Sequence, residues 1–167
     1  LYVPRLFGLM RPDWPALLGK GVLWLLAAYP IILLIMQCTQ LLLGGEASPQ
    51  KIVEFFSEAL AEGRSSEVIA TILTAGLVAP VVEEFIFRGY FYGTFRRYLG
   101  PWGGMLLTSL LFAVIHLNLL ALPSLFVLAI CFTLAYEATG SLWVPIVMHA
   151  LFNAANLTFV LFSIGAP

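Results

Sequence analysis

The chain has 167 residues, of which 61% are hydrophobic and only 10% charged, with a formal net charge of -1. A soluble domain carries roughly 25% charged residues, so an integral membrane protein surrounded by lipids is expected, with room for about five spans of roughly 20 residues. The lack of any basic excess excludes nucleic acid as a partner, because nothing would neutralise its phosphates.

Residues 1–15 mix basic, aromatic and proline residues (Arg5, Arg11, Pro12, Asp13, Trp14, Pro15), the pattern of an interfacial lead-in. The first residue is not methionine, and trimming at the N-terminus is expected. Lys20 can snorkel from the end of the first helix. A first span is predicted over 17–43. Pro30 lies inside it and should kink it, since proline removes an amide donor and clashes with the preceding turn. Cys38 and Cys131 lie in apolar runs without metal or redox spacing and read as small core residues.

Gly44-Gly45 ends that span, and 46–66 is polar. Within it, 49–60 has helical periodicity. Ile52, Phe55, Phe56, Ala59 and Leu60 share one face, while Lys51, Glu54, Glu58 and Glu62 share the other. Ser48 fits as N-cap, Pro49 as first helical residue and Gly63 as stop. A helix lying on the membrane surface is expected.

A second span is predicted over 66–92. Between Val68 and Gly93 its only charges are Glu83, Glu84 and Arg88. Ionisable side chains at that depth cost about 2.5 to 3.5 kcal/mol each by insertion scales, so they should be paired or used. Pro80 either kinks the helix or starts a new one, which would put both glutamates in a first turn where amide groups favour negative charge. Three further helices follow over 102–120, 123–139 and 143–165, each opened by a proline: Pro101, Pro123 and Pro145. Gly100, Gly103 and Gly104 permit close backbone approach at the third span. The basic residues Arg5, Arg11 and Lys20 on one side of two crossings and Arg96 with Arg97 after them predict a cytoplasmic N-terminus and an outside C-terminus. The expected fold is an all-α polytopic membrane helix bundle with about five transmembrane helices and one interfacial amphipathic helix. It forms a single membrane domain over 1–167, with the first span and interfacial helix in 1–66 and the core in 67–165.

The ionisable groups at membrane depth are Glu83, Glu84, Arg88, His116, Glu137 and His149. Residues four apart share a helix face, which lets Glu84 pair with Arg88 and aims His149 and Asn153 in one direction. Glu83 then points about 100° away from Glu84 and lacks an obvious partner in its own helix. Glu137, beside Thr139 and Gly140, reads as interfacial. Lipid offers polar groups no partners, so those on three helices should converge on one cavity.

Glu83-Glu84-x-x-x-Arg88, Phe112-x-x-x-His116 and His149-x-x-x-Asn153, in this order, resemble the three motifs of the CPBP (ABI) intramembrane proteases. That group includes type II CAAX prenyl endopeptidases and bacteriocin-processing or self-immunity proteins. The resemblance covers about 67–160 and implies hydrolysis of a peptide bond in a membrane-associated peptide or protein, in a bacterial plasma membrane. Two mechanisms are open. In one, Glu83 and His116 activate a water while His149 and Asn153 stabilise the oxyanion, with Glu84, Arg88 and Phe112 in support. In the other, Glu83, His116 and His149 hold zinc. The version without a cofactor is preferred, because Asn153 suits an oxyanion donor and is an unusual zinc ligand. The competing readings are a non-catalytic subunit or immunity protein in a membrane complex with a partner subunit, and a proton-coupled transporter. Five spans without half-to-half symmetry disfavour the transporter.

Convergence poses a geometric demand. At 1.5 Å per residue, Glu83 lies ~20 Å from Arg97, His116 ~22 Å from Pro101 and His149 only ~6 Å from Pro145. Either the fourth span stops short and 139–145 dips into the interior, or the last helix tilts strongly.

Overall fold

In the computed structural model, residues 8–9, 13–44 and 51–165 are described, and all the elements among them are helical. Helix α1, Trp14–Leu43, starts at Asp13, whose side chain accepts from the Ala16 amide at 3.4 Å. It ends where left-handed Gly44 donates its N–H to Gln40 O. Trp14 and Pro15 thus belong to the first helix, which starts three residues before the predicted 17, while Arg5, Arg11 and Pro12 lie outside the described residues. The helix continues through Pro30. Its outer face leaves Leu23, Leu26, Leu34, Leu41 and Leu42 exposed, a row of apolar surface suited to lipid and not to water.

The amphipathic segment folds as α2, Lys51–Ala61, and left-handed Gly63 stops it; Ser48 and Pro49 lie outside the described residues. Phe56 and Ala59 are buried, but Ile52 and Phe55 of the same predicted face are exposed. The Arg64 guanidinium covers the Phe55 ring at 5.6 Å and pairs with Glu62 and Glu67. Phe56 packs with Ala75 and Leu157, which fastens α2 to the two helices that carry the site.

From Ser65 the backbone is helical as far as Ile115. This run comprises α3 (Ser65–Leu73), a π-helical segment (Thr74–Val78), α4 (Ala79–Glu84), a second π-helical segment (Phe85–Tyr92) and α5 (Gly93–Ile115). Its 51 residues would extend about 75 Å, far beyond the roughly 30 Å of bilayer hydrocarbon. The run turns back within α5 at Gly100, whose φ of 71 and ψ of 176 are open to glycine and strained for other residues. The arms are close: a Cβ on Gly104 would stand 2.7 Å from the Arg96 backbone nitrogen. Phe87 of one arm meets Phe112 of the other at 5.1 Å between ring centroids. Among the described residues four apolar helical stretches are long enough to cross a bilayer, and the longest of them folds back on itself at Gly100.

The third crossing ends at Ile115, five residues before the predicted 120. His116 opens a turn in which Leu117 takes a φ of 50, and Asn118 Oδ1 accepts from the Ala121 amide at 3.0 Å. Apolarity continues through Leu117, Leu119 and Leu120, so hydropathy did not mark this end. Helix α6 (Leu122–Thr139) and helix α7 (Trp143–Gly165) follow, with left-handed Gly140 between them. In the link Gly140 is exposed, while Ser141, Leu142 and Val144 are buried within the protein, and Ser141 Oγ donates to Gly8 O at 3.0 Å. Arg96 pairs with Glu137 at the hairpin end of the bundle, in keeping with the interfacial reading of that glutamate.

The main core lies between α5, α6 and α7, with Phe112, Ala113, Leu128, Ala129, Phe132 and Met148 almost or wholly excluded from the surface. Cys131 is half-buried, and Cys38 is exposed on α1 instead of lying in the core. In lipid the outside of a helix is as apolar as its inside, so an apolar neighbourhood does not distinguish the two.

Candidate active site

The wall of the site is the first arm of the hairpin. Glu83 and Glu84 close α4, and Arg88 sits in the second π-helical segment. Helical backbone continues through Pro80, so the glutamates sit in mid-run, not in a first turn with free amides. Hydrogen bonds spanning i→i+5 widen a helix, and such bulges are frequent at functional sites.

Glu84 is fully buried, and its Oε1 receives two donors: Arg88 Nη1 at 3.0 Å and His149 Nδ1 at 2.9 Å. The pairing with Arg88 matches the sequence reading. The bond to His149 does not, because it makes Glu84 a direct partner of the imidazole as well as a counter-ion. Arg88 Nη2 donates to Ala129 O at 2.9 Å. The guanidinium lies 5.0 Å from the Phe112 ring centroid and 5.1 Å from that of Phe132. His149 stacks on Phe132 at 5.1 Å and meets Phe112 edge-on at 5.8 Å. Two phenyl rings thus clamp the Arg88 guanidinium and the His149 imidazole. Phe112 belonged to a motif, whereas Phe132 and the Ala129 carbonyl carried no sequence signal, being unremarkable members of an apolar run.

Glu83 differs from its neighbour. Its side chain is 27% exposed, and Oε2 stands 3.9 Å from His149 Nε2 without a hydrogen-bond partner among the described residues. The imidazole therefore lies between the two glutamates, one on each ring nitrogen. A carboxylate only accepts, so Nδ1 carries the proton toward Glu84 and Nε2 is presented toward Glu83.

His116, at the end of α5, bonds the Phe112 carbonyl through Nδ1 at 2.7 Å and packs on the Phe112 ring at 4.8 Å. That carbonyl also only accepts, which leaves Nε2 as the open nitrogen. No hydrogen bond or ion pair joins His116 to Glu83 among the described residues. Asn153 Nδ2 donates to Ala75 O at 2.8 Å, across to the first π-helical segment. The structure thus gathers Glu83, Glu84, Arg88 and His149 directly, holds His116 to them through Phe112, and ties Asn153 to the wall that carries the glutamates. Among the described residues no group of three or more His, Cys, Asp or Glu side chains is arranged to hold a metal ion.

Known sequences define the class. The family model described as Type II CAAX prenyl endopeptidase Rce1-like matches residues 65–155, more than half of the chain and the whole of the region just described. The chain belongs to this family of membrane proteases. It is 33% identical over 144 residues to an uncharacterized 24.3 kDa protein of Escherichia coli, covering 83% of this chain and 64% of that protein. It is 29% identical over 82 residues to the putative membrane peptidase YdiL of Bacillus subtilis (strain 168), covering 49% and 34%. To the membrane-embedded CAAX protease MroQ of Staphylococcus aureus (strain USA300) it is 30% identical over 96 residues, covering 54% and 39%. The chain spans less than two thirds of the length of each of these relatives. No solved structure matches it.

Proposed function

We propose that the protein is an intramembrane endopeptidase in which Glu83 and His116 activate a water and His149 and Asn153 hold the oxyanion. The observation that carries this reading is the asymmetry at His149: Glu84 engages Nδ1 inside the core, while Glu83 faces Nε2 from a partly open position. A carboxylate with an unengaged oxygen beside an oriented imidazole can serve in proton transfer and charge stabilisation at one carbonyl.

In this mechanism Glu83 takes a proton from water, with Nε2 of His116 as the second basic atom. The water oxygen bonds to the peptide carbonyl carbon, and N–H groups of His149 and Asn153 receive the charge that develops on the carbonyl oxygen. Collapse breaks the C–N bond, and the departing amine takes the proton from Glu83. Donation from His149 Nε2 while Nδ1 stays on Glu84 requires a doubly protonated ring. That state makes the group of Glu83, Glu84, Arg88 and His149 electrically neutral, which suits a site surrounded by hydrocarbon.

The substrate class is a membrane-associated peptide or protein, such as a prenylated CAAX-type C-terminus or a leader-bearing precursor. The bacterial relatives support a plasma-membrane location, and the basic residues flanking the first two crossings support a cytoplasmic N-terminus. Cleavage of membrane peptides by wild type, Glu83→Gln and His149→Ala, each with and without chelator, tests the reading. Loss of cleavage in both variants with no effect of chelator is expected. Wild-type rates in either variant would overturn the residue assignment, and chelator inhibition reversed by zinc would overturn the metal-independent mechanism.

A further inference from the structure

The tie between Asn153 and Ala75 has a cause in the covalent chemistry of the chain. In an α-helix the Ala75 carbonyl would accept the amide of Ala79; in a π-helix it would accept that of residue 80. Here the Ala79 N–H is taken by Thr74 O. Residue 80 is proline and has no N–H to give. The Ala75 carbonyl is therefore left without a helical donor at a buried position, where an unmatched polar group is costly. Asn153 Nδ2, from a helix far away in sequence, fills the vacancy at 2.8 Å. The carbonyl can only accept, so it also dictates which way round the Asn153 amide sits.

We propose that Pro80 is a positioning residue for the candidate active site: by withholding an amide it frees the Ala75 carbonyl to hold Asn153 and orient that side chain's remaining N–H. The same bond pins α7, which bears His149, to the arm that bears Glu83 and Glu84. One bond thus sets both the direction of an oxyanion donor and the register of the two walls. The kinetic part of this proposal rests on the hydrolytic reading of the site; the hydrogen-bond part does not.

The test uses the full chain in lipid nanodiscs as wild type, Pro80→Ala, Asn153→Ala and the double variant. Two quantities are measured: Tm, and kcat and KM for a membrane peptide. Alanine in place of the proline restores an amide that can reach Ala75 O, so Pro80→Ala should match or exceed the wild-type Tm. Its kcat should nevertheless fall about tenfold with KM little changed, since small misplacements of reacting groups can cost up to roughly 10²-fold. A purely structural proline would give the reverse pattern, a lower Tm with wild-type kcat per folded molecule. Asn153→Ala should lower Tm in the wild-type background and clearly less in the Pro80→Ala background, because there the carbonyl has another donor. Pro80→Ser also restores the amide and should behave as Pro80→Ala does. Equal Tm losses from Asn153→Ala in both backgrounds, or an undiminished kcat in Pro80→Ala, would overturn the proposal. Absence of cleavage by the wild type would overturn the hydrolytic reading, while the Tm cycle would still decide the tie.

Discussion

Glu83 and Glu84 are consecutive residues on one helix, yet they stand in two different regions of the protein. Glu84 is enclosed, with Arg88 and His149 on one oxygen and the rings of Phe112 and Phe132 packed around its partners. Glu83 is 27% exposed, and its inner oxygen, Oε2, is buried 3.9 Å from His149 Nε2 without a hydrogen-bond partner among the described residues. The enclosed region is made for permanence: Glu84 and Arg88 neutralise each other, with Glu84 Oε2 and Arg88 Nε unpartnered among the described residues, and removing one charge strands the other in a medium that cannot solvate it. What sets the Glu83 region apart is partial exposure of a side chain that stands 3.9 Å from its nearest cationic partner, which leaves it able to meet a substrate. Adjacent residues can serve such different ends because a helix turns by about 100° per residue.

Four measurements would sharpen or break this division. The largest effect is expected at Glu83: Glu83→Gln should reduce kcat/KM by about 10²–10⁴-fold and leave Tm near wild type. A large drop in Tm with activity retained would place Glu83 with the enclosed cluster instead. Next comes the enclosed pair. Glu84→Leu or Arg88→Met alone should destabilise by about 3–5 kcal/mol, with the double variant recovering much of that loss. Unfolding in detergent or nanodiscs reports this, and additive losses would show that the two residues do not act as a pair. Phe132→Leu keeps an apolar side chain but removes the ring beneath Arg88 and His149, and about 2 kcal/mol is expected from the lost cation–ring contact. No change in unfolding would mean that Phe132 only fills space. The smallest effect is predicted for Arg96→Ala at the far, exposed end, at most about 1 kcal/mol through its pair with Glu137. A cost as large as that at Arg88 would undo the contrast between buried and exposed pairs.

Much of this site is legible in the order of amino acids alone. The cost of burying charge makes Glu83, Glu84 and Arg88 conspicuous, and spacing of four residues correctly pairs Glu84 with Arg88. The short distance from Pro145 to His149 signals an inward-dipping link or a tilted last helix, and Ser141 and Leu142 of that link are buried. Other features are out of reach. A helical run reads the same whether its bonds span four residues or five, so both π-helical segments leave no trace in the sequence. Phe132 is one aromatic among many in an apolar stretch. Cys38 on the lipid side has the same neighbours in sequence as a core cysteine would. The Ala75 carbonyl has one visible sign, a proline five residues downstream, and that sign means something only once the bulge is known.

The sequence by itself determined that this is a helical membrane protein, which segments cross, and which few polar groups must find partners there. Hydrocarbon enforces those conclusions, because it solvates neither free backbone groups nor lone charges. Only the tertiary structure decided who partners whom: that Glu84 and not Glu83 binds His149 Nδ1, that His116 reaches the cluster through Phe112, and that Asn153 answers the amide missing at Pro80. Those choices depend on helix rotation and axial register, which the 3.6-residue period leaves open and a single widened turn can shift. Glu83 is thereby left partly exposed beside His149 Nε2, with one buried oxygen unengaged among the described residues.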